Sequence, residues 1–135
     1  MYELFEHTAD LGLRVRAPDL EGLFVEAARG LFAMIAEPPP IGAERTIEVE
    51  VAGERPDYIL VDWLSELLFV FESQHLLLAE FSVELGSAGL RGAARAEPLD
   101  PSRHRLLHEV KAITYHGLRV EPTDQGWLAE IIVDI

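Results

Sequence analysis

The sequence predicts an α+β fold, two helices packed on mainly antiparallel sheet, and three observations predict it. Strand-like and helix-like patterns follow one another as strand, strand, helix, strand, helix and then a run of strands, rather than in strict alternation. Only two stretches carry apolar residues at the three- and four-residue spacing of a helix. Glycine and proline fall at or near the junctions between the other segments. The length of 135 residues predicts a single domain over 1–135, large enough to bury a core without disulfides or metal staples.

Tyr2–Glu6 and Gly12–Ala17 read as two short strands joined by a loop, His7-Thr8-Ala9-Asp10. Leu11, Leu13, Val15 and Ala17 alternate with Gly12, Arg14 and Arg16, the period of a half-buried strand, and Pro18 closes it. Asp19 is a good N-cap for a helix whose apolar stripe is Leu20, Leu23, Phe24, Ala27, Ala28, Leu31, Phe32 and Ile35. Gly30 costs that helix stability, which suggests close packing there, and Pro38-Pro39-Pro40 cannot continue it. Residues 45–51 alternate as a strand with one wet face. Asp57 to about Leu78 reads as a second helix, apolar around nearly its whole circumference apart from Asp62, Ser65, Glu66 and Ser73. Such a helix belongs at the centre of the fold, sandwiched by sheet or by a partner. Five further strands are expected at roughly 79–85, 90–97, 107–113, 117–122 and 127–134.

Apolar residues make up 49 % and charged residues 26 % of the chain, which argues against disorder. There is no cysteine, so disulfides, thiolate metal sites and cysteine nucleophiles are excluded, and a reducing cytoplasm fits. No apolar run approaches the ~20 residues needed to span a bilayer, and the acidic start is unlike a signal peptide, so no membrane association is expected. The formal net charge is −13. A surface this acidic repels a phosphate backbone, so no direct nucleic-acid partner is expected; a metal ion or a basic protein suits it better.

Asp10 sits near the start and Asp134-Ile135 at the end of the sequence. Should the fold bring them together, anionic oxygens converge, and a hard divalent cation is the physical remedy; a solvated terminus is the plainer alternative. Asp62 and Glu66 stand four apart on the second helix, where like charges disfavour the helix unless a cation or basic partner meets them. His104 and His108 have the spacing of a helical metal pair, but the segment falls between Pro101 and a strand-like stretch, so the rings need not share a helical face, and no HExxH accompanies them. Tyr115-His116 offers a general base or an ordinary turn. Lys111, the only lysine, could pair with Asp62, Glu66 or Glu97. No phosphate-binding loop, nucleophile elbow or dinucleotide fingerprint is present.

Taken together, five segments resemble the archease family over essentially the whole chain: His7-Thr8-Ala9-Asp10, Leu60-Val61-Asp62-Trp63-Leu64-Ser65-Glu66-Leu67-Leu68, Glu97-Pro98-Leu99-Asp100 with His104, Val110-Lys111-Ala112-Ile113-Thr114-Tyr115-His116-Gly117-Leu118-Arg119-Val120, and Asp134-Ile135. The resemblance implies a cytoplasmic accessory protein, not itself an enzyme. Its partner would be the RNA ligase that joins tRNA halves during splicing. It would promote guanylylation of that ligase by GTP, allow repeated turnover, and alter the nucleotide accepted. By position, the resemblance assigns Asp10, Asp134 and Ile135 as metal ligands, with calcium expected and magnesium or manganese as alternatives. His7, Asp62, Glu66, Lys111 and His116 are further candidates. Ser65 departs from the asparagine common in the family and lacks its two amide donors. Two other classes compete: a small metal-dependent hydrolase using the same acids with His7 or His116 as base, and a chaperone-like binding module needing no metal.

Overall fold

A computed structural model describes residues 1–7, 10–41 and 45–135, apart from the side chain of His7. Strands β1 (Tyr2–His7) and β2 (Asp10–Ala17) form a tight antiparallel hairpin. Asp10 therefore opens a strand rather than lying in a loop, because the ladder continues to the pair His7 and Asp10. Helix α1 (Leu20–Ile35) starts where Asp19 accepts the Gly22 N–H at 2.6 Å. It ends before the prolines, since Ala36 is already extended and enters β3 (Ala36–Glu37).

β4 (Arg45–Ala52) has the alternation read from sequence, with Val49 and Val51 inward. Helix α2 (Pro56–Gln74) ends four residues earlier than expected. His75 takes the left-handed conformation and returns its N–H to Phe71 O at 2.8 Å, so Leu76–Leu78 open β5 (Leu76–Gly86) instead. Periodicity could not separate these cases, because all three leucines are buried either way. β6 (Gly89–Pro98) completes a hairpin with β5.

The expected strand at 107–113 is not formed as such: a short strand β7 (Arg105–Leu106) precedes that range, residues 107–111 are irregular, and only β8 (Ala112–Ile113) falls inside it. The first pairs with β3 and the second with the final strand, so the chain between them crosses from one ladder to another. β9 (Arg119–Thr123) and β10 (Gly126–Asp134) form the last hairpin.

The hydrogen-bonded order is β1-β2-β10-β8 with β9 also on β10, then β3-β7, then β4-β6-β5, every pairing antiparallel. Both helices contact both larger sheets and each other, α1 chiefly β2 and β5, α2 chiefly β4 and β5 with β8 and β9 at its flank. Helix α2 is accordingly buried on several sides but not all round, since Tyr58 and Phe69 of its apolar circumference remain exposed. Trp63 is fully buried and donates its indole N–H to Phe24 O at 3.1 Å, tying the two helices. Gly92 makes room for that ring: a Cβ there would stand 2.5 Å from Trp63. Gly30 performs the same service between α1 and Leu13 of β2, the close approach its place in the helix suggests.

Candidate functional site

The β2–β10 ladder decides where the two ends of the sequence lie. Trp127 pairs with Ala17 and Val133 with Leu11, so one step further the same register sets Asp134 opposite Asp10. On the other side of β10, Asp134 pairs with Ala112, and the Lys111 N–H donates to Asp134 O at 2.7 Å. One end of this sheet thus collects Asp10, Lys111, Asp134 and Ile135.

Alternation settles the face. Leu11, Leu13 and Val15 of β2, with Ala129, Ile131 and Val133 of β10, enter the core. Asp10, Arg14, Glu130 and Asp134 occupy the opposite face. There Arg14 donates to Glu130 at 2.9 Å, and Arg119 of β9 reaches Glu130 at 2.5 Å, so one carboxylate clamps three strands. The guanidinium of Arg14 also lies 4.7 Å from the centre of the Phe5 ring, on the same face of β1. These bonds fix the register on which the juxtaposition of Asp10 and Asp134 depends. Asp10 is half-buried, Asp134 exposed, and Ile135 half-buried against the core. Directly opposed carboxylates on neighbouring strands repel.

Among the described residues, no group of three or more His, Asp or Glu side chains could hold a metal ion. The expected set differs in kind, combining two aspartates with the main chain of Ile135. Candidate His7 lies in β1 by its backbone, but its side chain falls outside the described residues, as do Thr8 and Ala9.

The other candidates lie elsewhere. Asp62 borders a surface hollow of about 550 Å³ with Arg55, Asp57, Tyr58, Tyr115 and Leu118. Glu66, one turn along α2, is exposed. His116 is exposed in the turn after β8, where its N–H donates to Thr114 Oγ1 at 3.3 Å. Lys111 is exposed, and its ammonium joins no ion pair among the described residues, so the pairings considered for it with Asp62, Glu66 or Glu97 are not formed.

Glu97 is committed to a different role. It is only 4 % exposed and His104 only 6 %. Its carboxylate takes His104 Nε2 at 2.9 Å, Arg103 at 2.6 Å and the Ile41 N–H at 3.3 Å. Burial opposes its ionisation, but these donors outweigh that and hold its carboxyl below the usual range. The Asp100 N–H donates to His104 Nδ1 at 3.0 Å, so Nδ1 bears no proton and Nε2–H is the donor to Glu97. His104 is therefore a neutral structural histidine, and His108 stays exposed away from it.

Sequence reasoning passed over Tyr58 and Arg55. The available signal was helical spacing: Tyr58 precedes Asp62 by four residues, so a ring and a carboxylate share one face.

Comparison with known proteins agrees with this architecture. The family model described as the Archease protein family matches residues 2–135. A protein named Protein archease from Methanopyrus kandleri is 43 % identical, with 99 % of each chain covered. Its namesake from Pyrococcus furiosus is 37 % identical over 99 % of this chain and 98 % of its own. The solution structure of Methanobacterium thermoautotrophicum Protein 1598 superposes with a TM-score of 0.86 at 32 % identity, covering 99 % of this chain and 98 % of that one.

Proposed function

Because the chain belongs to the archease family, we propose that it activates the RNA ligase that joins tRNA halves. It promotes guanylylation of that ligase by GTP, supports multiple turnover, and widens the nucleotide the ligase accepts. It performs no ligation itself, and the cytoplasm is where it works.

The observation that carries this reading is the register of β2 and β10, which sets Asp10 beside Asp134 at the end of one sheet. A divalent cation fits that end by the chemistry of its donors. Two carboxylates and the main-chain oxygen of Ile135 are hard oxygen ligands, matching calcium first and magnesium or manganese next. When bound, the ion supplies a fixed positive charge that relieves repulsion between the two carboxylates.

The chain's own residues do the rest. Glu130, held by Arg14 and Arg119, keeps the strands in register and thereby keeps the carboxylates opposed. Lys111, anchored through its N–H to the main-chain oxygen of Asp134, carries an exposed ammonium at the same end of the sheet. That ammonium is positioned to hold an anionic group, such as a phosphate in the nucleotide site of the ligase. The effect is preorganisation of chemistry that belongs to the partner. A net charge of −13 suits docking beside a basic cleft without competing for tRNA.

The test is to add the protein to the ligase with GTP, a divalent metal and tRNA halves, and to count ligations per ligase. Intact protein is expected to give many; Asp10→Ala, or loss of residues 134–135, is expected to return the ligase to a single round. Full activity from folded Asp10→Ala protein overturns the role given to the carboxylates. Hydrolysis of a phosphoester by the protein alone selects the hydrolase instead.

A further inference from the structure

The geometry points to the hollow beside α2 as a seat for an arginine side chain presented by a partner protein. It is lined by Arg55, by Asp57, Tyr58 and Asp62 of α2, and by Tyr115 and Leu118 of the turn between β8 and β9. Tyr58 is 45 % exposed and Tyr115 58 % exposed, unusual for rings that an interior could have absorbed. They meet edge to face at 5.5 Å, which stiffens both.

The chain already demonstrates what this surface binds. Its own Arg55 guanidinium lies 4.1 Å from the centre of the Tyr58 ring, and Asp57 holds it by two hydrogen bonds of 2.8 and 3.2 Å. Ring plus carboxylate is thus an occupied guanidinium site on one side of the hollow. The same two elements recur in the lining as Tyr115 and Asp62. Asp62 is exposed and engages no cation of the chain among the described residues. A second guanidinium satisfies both at once, by cation–π attraction to the ring and by a charge-assisted bond to the carboxylate. Arginine suits the site better than lysine, because its planar fork can stack and pair together. The excess of negative charge on the molecule attracts such a side chain and repels nucleic acid, so the occupant belongs to a protein.

The hollow also adjoins the end of the sheet described above. Tyr115 lies three residues beyond Ala112, the partner of Asp134, a run of about 10 Å in extended chain. One partner surface can therefore span both. This deepens the accessory reading and rests on it only for the identity of the partner; the seat itself is independent of it.

The probe is a blocked tripeptide, Gly-Arg-Gly, compared with its citrulline and lysine counterparts at millimolar concentration. Tyrosine ring resonances are followed by NMR on the full chain. The arginine peptide is expected to shift the Tyr58 and Tyr115 signals saturably, the lysine peptide less, and the neutral citrulline peptide not at all. Asp62→Asn and Tyr115→Ala, both at exposed positions, are expected to abolish saturation on the remaining rings while leaving the melting temperature unchanged. Equal shifts with citrulline, or saturation retained in both variants, overturn the seat. In a second arm, the affinity of the tRNA-joining ligase is expected to fall on the order of tenfold for each variant, the loss of one interface anchor. Undiminished affinity in both variants overturns the seat and leaves the accessory reading standing. Failure of the unaltered chain to bind the ligase overturns the accessory reading, and the peptide arm then decides the seat alone.

Discussion

At the scale of single residues, Glu97 shows how a motif residue can be structural. Its two oxygens are fully subscribed by Arg103, His104 and the Ile41 N–H, joining the end of β6 to two separate loop segments. Replacing it with alanine leaves the buried Nε2–H of His104 without an acceptor, at a cost of about 1–3 kcal/mol. The carboxyl is held below its ordinary range in the folded state, so its contribution is present above the unfolded value and is lost as pH falls through the folded one. Glu97→Ala is therefore expected to lower the urea midpoint at pH 7 and to flatten the loss of stability below about pH 4, where the unaltered protein loses this contribution. An unchanged midpoint at pH 7 contradicts the role assigned to the buried pair. The sequence exposed this glutamate and His104 as part of one motif, but the tautomer of the histidine depends on Asp100, whose N–H only the folded loop turns toward Nδ1.

At the scale of elements, close approach is set by glycine where a helix crosses a sheet. Gly92 of β6 faces Trp63 of α2, and a Cβ would lie 2.5 Å from the ring. Gly86, at the end of β5, has nothing within 4 Å of the same added atom. Gly92→Val is expected to destabilise by about 1–3 kcal/mol through overpacking, whereas Gly86→Ala stays within about 0.5 kcal/mol. Urea unfolding of the two variants side by side checks both values, and equal midpoints contradict the packing argument. Neither outcome is legible in the sequence, which puts Gly92 inside an expected strand and Gly86 at the turn after one but does not show what either faces. The helix α1 was legible throughout: its cap, stripe and end are local features. The end of α2 was not, because buried leucines serve a helix and a central strand equally well.

At the scale of the whole molecule, charge is the dominant property. A net −13 on 135 residues repels itself, and screening that repulsion stabilises the folded state. Sodium chloride is expected to raise the melting temperature gradually. Calcium at matched ionic strength is expected to raise it further and saturably, by mass action at the end of the sheet where Asp10 and Asp134 stand opposite each other. Asp10→Asn should abolish the calcium increment and keep the sodium response. Calorimetric scans in the two salts separate the contributions; identical curves for calcium and sodium count against a specific cation site. Among the described residues no helix is long and apolar enough to cross a membrane.

By itself the sequence determined the α+β class, the positions of both helices, most strands and the segments that resemble a known family, because these depend on periodicity, capping and local order. Only the tertiary structure decided that residue 10 stands opposite residue 134, that Glu97 serves His104 rather than Lys111, and that two tyrosines far apart in sequence share one hollow. The physical reason is that strand register and side-chain encounter are long-range events. They are fixed by the packing of two helices between two sheets, which no window of neighbouring residues contains.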